Sequence, residues 1–267
     1  VSPDRLVIDV GNTRLKWGRL DHRGRIIDSF ATAVDDYGAW QTSINRLVSE
    51  QSPSPAAIAS VNPPIADRLG AWLERSGIGP IQWFRSAADV SLNHRLEAPE
   101  QTGADRALAV LAALDHAGQV GPGIVVQCGT AITVERIDPE GCWLGGAIAI
   151  GPGLASRALQ SGTAQLPSAL PLDPERPTPA WGASTLPALE AGLLWGAVGT
   201  IRELIARQGE GLNPEPWVIW TGGDAPILGP RVSGAGVQIE PDLVLMGAAL
   251  AGFRGPDHPI DATPFSR

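Results

Sequence analysis

The sequence predicts an α/β protein built as two related halves. Three observations carry that prediction. Apolar strand-like runs alternate with segments whose apolar residues recur at helical spacing, a strand, Gly-Thr turn, strand unit occurs twice, and a glycine-rich break from Gly118 to Gly123 separates the two occurrences. The first unit is Ile8-Asp9-Val10-Gly11-Asn12-Thr13-Arg14-Leu15-Lys16-Trp17-Gly18, and the second is Ile124-Val125-Val126-Gln127-Cys128-Gly129-Thr130-Ala131-Ile132-Thr133-Val134.

In chain order, Leu6 to Ala31 reads as three strands joined by the Gly-Asn-Thr turn and a turn from Asp21 to Gly24, because turn-forming residues punctuate the apolar runs. Gly38 to Gln51 is predicted helical, since Trp40, Ile44, Leu47 and Val48 fall on one face. Ala56 to Val61, following Ser52-Pro53-Ser54-Pro55, is a short buried strand, and Ile65 to Ser76 is a helix marked by Leu69, Trp72 and Leu73. Arg85 to Thr102 is polar and irregular. It leads through Gly103-Ala104-Asp105-Arg106 into a helix from Ala107 to Ala117. Placing the boundary after Gly118 gives domains 1–118 and 119–267. Beyond the second hairpin come a Gly-rich stretch from Gly145 to Gly153, a Pro-rich loop from Leu166 to Trp181, a long helix from Thr185 to Gln208, and a strand entering Thr221-Gly222-Gly223-Asp224.

Composition excludes several functional classes. A hydrophobic fraction of 43% with 18% charged residues is that of a soluble globular chain and not of a disordered one. The formal charge of −8 argues against a nucleic-acid binder, which would present a basic face. No apolar run approaches the length of a membrane span, and the N-terminus carries no signal-peptide pattern, so the expected address is cytoplasmic. Cys128 and Cys142 are the only cysteines and have no ligand-like spacing, which predicts neither a disulfide framework nor a zinc site.

Of the twenty basic residues nineteen are arginine, and the single lysine, Lys16, lies in the first repeated unit. Glycine turns allow close backbone approach, and successive N–H groups with a threonine hydroxyl can face phosphate oxygens. A lysine ammonium is a compact point charge that can follow a phosphate as it moves. A pair of ordinary hairpins with one solvated lysine explains the same residues. Asp105 and Arg106 also have a plain reading, a carboxylate at the positive end of a helix dipole and a solvated arginine.

Taken together and in order, the motifs resemble those of the type III pantothenate kinases, within the acetate and sugar kinase/Hsc70/actin superfamily. Asp9-Val10-Gly11-Asn12-Thr13 resembles the family's phosphate loop, Gly103-Ala104-Asp105-Arg106 its pantothenate motif, and Gly129-Thr130-Ala131 the end of its second loop. Ser60-Val61-Asn62-Pro63, Gly182-Ala183-Ser184-Thr185, Thr221-Gly222-Gly223 and Pro241-Asp242-Leu243 are shorter echoes. The resemblance implies two ribonuclease H-like domains, the actin-like ATPase fold, with the nucleotide in the cleft between them. It also implies ATP-dependent phosphorylation of pantothenate, the first step of coenzyme A synthesis, with ATP, magnesium and a monovalent cation (potassium or ammonium), in a homodimer.

By position, the resemblance makes Asp105 the general base and gives Gly103, Ala104, Asp105, Arg106, Leu96 and Thr185 to pantothenate. It gives Asp9, Val10, Gly11, Asn12, Thr13, Arg14, Leu15, Lys16 and Thr130 to the nucleotide, with Asp9 also facing magnesium. Three departures stand out. Gln127 occupies the place of an aspartate that helps bind the monovalent cation, Leu96 that of a common tyrosine, and the segment from Gly145 to Gly153 is two residues longer than usual. An amide keeps an oxygen ligand but loses a charge, which predicts weaker binding of a hard cation. These departures leave open a paralogue that binds ligands without efficient turnover, or a kinase of another small alcohol.

Overall fold

The computed structural model describes residues 4–48, 54–116, 121–169, 171–173 and 178–253. The chain divides into two compact units. The first begins with β1 (Arg5–Val10), β2 (Arg14–Leu20) and β3 (Ile26–Ala33), followed by α1 (Tyr37–Leu47), β4 (Ser54–Ser60), α2 (Pro63–Arg75), β5 (Ile78–Phe84) and α3 (Ala104–His116). Its sheet has the order β3-β2-β1-β4-β5, antiparallel from β3 to β1 and parallel from β1 to β5.

Burial explains why these residues take these forms. β4 lies between β1 and β5, and Ala56, Ala57, Ile58 and Ala59 are all buried, as expected of a strand flanked on both edges and covered on both faces. Leu6, Ile8 and Val10 of β1 join Leu15 and Trp17 of β2 in a core closed by Trp40, Ile44 and Leu47 of α1 and by Leu69 and Leu73 of α2. Asp36 starts α1 by accepting the Ala39 N–H at 3.0 Å, and Asn62 caps α2 by accepting the Ile65 N–H at 3.4 Å.

The second unit contains β6 (Gly123–Cys128), β7 (Ala131–Ile137), β8 (Trp143–Ile150), α4 (Pro152–Gly162), α5 (Thr185–Gly209), β9 (Trp217–Thr221), α6 (Ala225–Ser233) and β10 (Gln238–Ile239). Its sheet order, β8-β7-β6-β9-β10, repeats that of the first unit strand for strand, with the same antiparallel and parallel pairings. Ile124, Val126, Ile132 and Val134 form its core with Leu194, Val198 and Ile201 of α5 and Leu228 of α6.

The final described helix, α7 (Leu243–Phe253), groups with the first unit, against α3, β1 and β4. The expected domain 119–267 therefore differs at its C-terminal end, because α7 leaves the sheet of the second unit and packs on the first. The expected boundary at 118/119 and the end of the predicted helix at Ala117 lie outside the described residues, as do the last residues of the helix predicted to Gln51. Gly247 makes the α3 contact possible: a Cβ there would fall 2.1 Å from the Leu108 carbonyl oxygen. Among the described residues no helix is long and apolar enough to cross a membrane.

Candidate functional site

The first site element is the β1–β2 hairpin. Gly11 N–H donates to Arg14 O at 3.0 Å, and Thr13 O accepts from Val34 N–H at 3.1 Å, which leaves Asn12, Thr13 and Arg14 as an exposed tip. Val10 and Leu15 of the predicted nucleotide loop are core residues, so only their backbone groups could meet a ligand. Asn62, at the start of α2, reaches Gly11 O with its Nδ2 at 3.5 Å and ties the loop to the end of β4.

Asp9 is the polar interruption of β1, and Lys16 is its partner across the β1–β2 ladder, so both side chains leave the same face of the sheet. That face is the one α7 covers: a Cβ on Gly18 would lie 3.1 Å from Leu245. Part of Asp9 remains accessible, but protein atoms crowd its carboxyl. Burial foremost, then the charge of Asp105, push its pKa up to about 7, against the opposing pull of Lys16. Asp9, Lys16 and Asp105 are thus brought into one electrostatic neighbourhood, from β1, β2 and α3.

Asp105 and Arg106 sit within the first turn of α3, which starts at Ala104 and not at Ala107 as the apolar spacing suggests. The Asp105 Oδ1 accepts the Arg106 N–H at 2.9 Å. It also occupies the space next to Gly103, where a Cβ would lie 2.5 Å away, so the glycine admits the carboxylate. Ala104 is buried, whereas Asp105 and Arg106 are half-buried.

The structure adds a residue to this neighbourhood that sequence reasoning did not assign. Asp242, at the entrance to α7, places its Oδ1 2.8 Å from Lys16 Nζ, and its Oδ2 accepts the Ser29 hydroxyl at 2.8 Å. The sequence offered Asp242 only within the Pro241-Asp242-Leu243 echo, and an aspartate before an apolar run also reads as a helix start, but neither signal names its partner.

The second unit repeats the hairpin with different side chains. Gly129 N–H donates to Ala131 O at 3.0 Å, and Thr130 O accepts from Gly151 N–H at 3.1 Å, as Thr13 O does from Val34. Asp224 N–H donates to Cys128 O at 3.0 Å, matching Val61 N–H on Val10 O at 3.2 Å. The ladder partners Gln127 and Thr133 therefore stand where Asp9 and Lys16 stand in the first unit. Here the pair is neutral: the Thr133 hydroxyl donates to Gln127 Oε1 at 3.0 Å. Burial, then Asp224, push the Cys128 thiol up to about 12, which leaves it inert as a nucleophile.

Two predicted substrate residues lie on other segments of the chain. Leu96 is half-buried in the segment between β5 and α3, its N–H on His94 Nδ1 at 3.2 Å. Thr185 is exposed at the first position of α5 in the second unit.

Among the described residues no group of three or more His, Cys, Asp or Glu side chains could hold a metal ion. Magnesium bound with a nucleotide needs no such cage, because it keeps several waters and takes one or two carboxylates beside phosphate oxygens. A single desolvated carboxylate such as Asp9, near the end of β1 and four residues before an exposed Thr13, fits that donor set.

Known proteins resemble this chain in fold and in sequence. The ethanolamine utilization protein EutJ from Carboxydothermus hydrogenoformans superposes with a TM-score of 0.55 at 16% identity, covering 94% of this chain and 91% of that one. An archaeal actin homolog gives 0.51 at 12% identity over 92% and 98%. At such identity these likenesses speak for the fold alone, the two-domain actin-like ATPase fold. The family model described as type III pantothenate kinase matches residues 5–207. Type III pantothenate kinases from Acidiphilium cryptum (33% identical, 94% of this chain and 95% of the relative), Gluconobacter oxydans (34%, 97% and 96%) and Thermus thermophilus (34%, 91% and 96%) align along nearly their whole length. The chain belongs to the type III pantothenate kinase family.

Proposed function

We propose that this chain transfers the γ-phosphoryl group of ATP to the terminal hydroxyl of pantothenate, giving 4'-phosphopantothenate and ADP, the first step of coenzyme A synthesis. The observation that carries the reading is the convergence of Asp9, Lys16 and Asp105 in one neighbourhood of the first unit, in the motifs that characterise the family. Phosphoryl transfer asks mainly for positioning and for neutralising charge on the transferred group. Lys16 supplies a cation at the phosphate loop, and the Asn12-Thr13-Arg14 tip and the Thr130 loop supply backbone and hydroxyl donors.

Asp105 orients the pantothenate hydroxyl and accepts its proton as the oxygen–phosphorus bond forms and the bond to the ADP oxygen breaks. Arg106 pairs with the substrate carboxylate through its planar fork, and Gly103 and Ala104 shape the wall beside it. Asp9 would hold magnesium beside the nucleotide phosphates, where the ion would supply neutralising charge. Gln127 answers to the monovalent-cation position, where an amide oxygen already bonded to Thr133 would hold such an ion weakly. Leu96 and Thr185 complete the pantothenate contacts in this reading.

The enzyme acts as a homodimer in the cytoplasm, where ATP is available. Support for the dimer comes from a set of exposed apolar side chains on the second unit, Ile148 and Ile150 of β8, Leu154 and Leu159 of α4, and Leu186 and Trp195 of α5. Sedimentation at micromolar concentration measures it.

The test is release of ADP with and without pantothenate, for the native chain and Asp105→Asn. Turnover should require pantothenate and fall about 10² to 10⁴ fold in the variant, with folding intact. Turnover with another small alcohol alone, or binding of both ligands without turnover, removes the proposal.

A further inference from the structure

We propose that Asp242 is a positioning residue for Lys16: its carboxylate, fixed at the entrance to α7, sets where the ammonium sits when a nucleotide phosphate arrives. The inference rests on the reading of Lys16 as a phosphate-binding group. Its own evidence is geometric. Asp242 Oδ1 lies 2.8 Å from Lys16 Nζ, and the two side chains are 25% and 27% exposed respectively, so the pair is largely sheltered from screening. The other carboxylate oxygen takes the Ser29 hydroxyl at 2.8 Å, which stops the carboxylate from turning away. Asp242 is also held through its backbone, because its carbonyl oxygen accepts the Met246 N–H at 2.8 Å in the first turn of α7.

A lysine carries its charge on a flexible four-carbon stem, and fixing that stem before the ligand binds removes an ordering cost from binding and from the reacting complex. An ammonium has three donors, so an ion pair with Asp242 and a contact to phosphate are compatible. Asp9 lies across the ladder from Lys16 and could draw the ammonium towards itself. The 2.8 Å contact with Asp242 holds the ammonium against that pull.

The test is a double-mutant cycle on the full chain: native, Asp242→Asn, Lys16→Met and the double variant. Asparagine caps helices as well as aspartate does, so α7 keeps its start. Magnesium-ATP affinity is measured by titration calorimetry, and kcat and KM for ATP by turnover with pantothenate. Asp242→Asn should weaken ATP affinity about fivefold, chiefly through KM, and should have no further effect once Lys16 is methionine, the signature of two residues acting as one. Ser29→Ala, a second route to loosening the same carboxylate, should weaken affinity about twofold, again only when Lys16 is present.

Losses that multiply in the double variant, or affinity that is unchanged or tightened in Asp242→Asn, would overturn the proposal. ATP binding by the native chain without pantothenate-dependent turnover defeats the kinase reading while the cycle in affinity still decides the role of Asp242. No ATP binding by the native chain defeats both.

Discussion

Replacing Asp9 by asparagine should stabilise the ligand-free protein, and the gain should grow with pH. The Asp9 carboxyl is raised from 3.8 to about 7 in the folded chain. Between these values the folded state holds a proton that the unfolded state has released, so stability falls as pH rises through the window from about 4 to about 7. Three pKa units at about 1.4 kcal/mol each set a ceiling of about 4 kcal/mol. Asp9 keeps part of its surface in contact with water, so about 2 kcal/mol is the working figure. An asparagine side chain in its place would have no charge to desolvate. Urea unfolding of both proteins at pH 5 and pH 8 reads the effect. The variant should be the more stable at pH 8, with a smaller advantage at pH 5. An equal difference at both values would show that Asp9 is ionised throughout and that its surroundings do not resist the charge.

Three further outcomes are expected. Turnover of the native chain should respond weakly to potassium at constant ionic strength and Gln127→Asp should respond strongly, since a carboxylate there would add the charge that the Gln127–Thr133 pair lacks; strong activation of the native protein would refute this. Gly247→Ala should cost at least about 2 kcal/mol in urea unfolding, because its Cβ meets the backbone oxygen of Leu108, which cannot move aside cheaply; a change within about 0.5 kcal/mol would mean that α3 and α7 separate freely. Cys128, raised to about 12, should resist iodoacetamide at pH 8 until the protein unfolds, and rapid labelling of the folded chain would place the thiol in contact with solvent.

Much of the first unit was legible in the sequence because its signals are local. Asp9-Val10-Gly11-Asn12-Thr13 announces a hairpin, and α1 and α2 show apolar residues on one face. The unread elements each hid their signal for a physical reason. β8 carries Gly145 and Gly146, poor strand formers, because Gly146 lies against the Glu135 side chain and Val134 O and has no room for a Cβ. α6 contains Pro226 and Pro230, which argue against a helix. α7 is apolar nearly all round, since it is largely buried, and a helix without a polar face shows no periodicity. β5, α4 and the short β10 were also unmarked.

At the site, residue types were readable but partners were not. Nothing near Lys16 in sequence points to Asp242, which lies near the far end of the chain, and nothing near Gln127 says that Thr133 takes its oxygen. The ladder register makes that second pair, and register is a property of the folded sheet.

The placement of α7 bears on the order in which the molecule can be assembled. The first unit is discontinuous in sequence: Leu108 and Ala57 wait for Gly247 and Gly252, which lie beyond the whole of the second unit. The second unit is one uninterrupted stretch, and among the described residues its sheet takes no strand from a later segment. During synthesis, therefore, the half that begins first is completed last, and its α3 surface stays uncovered while the other half is made. A fragment ending before Asp242 would lack both the helix that seals that surface and the carboxylate that holds Lys16. In this chain, closing the fold of the first unit and setting its lysine are a single event.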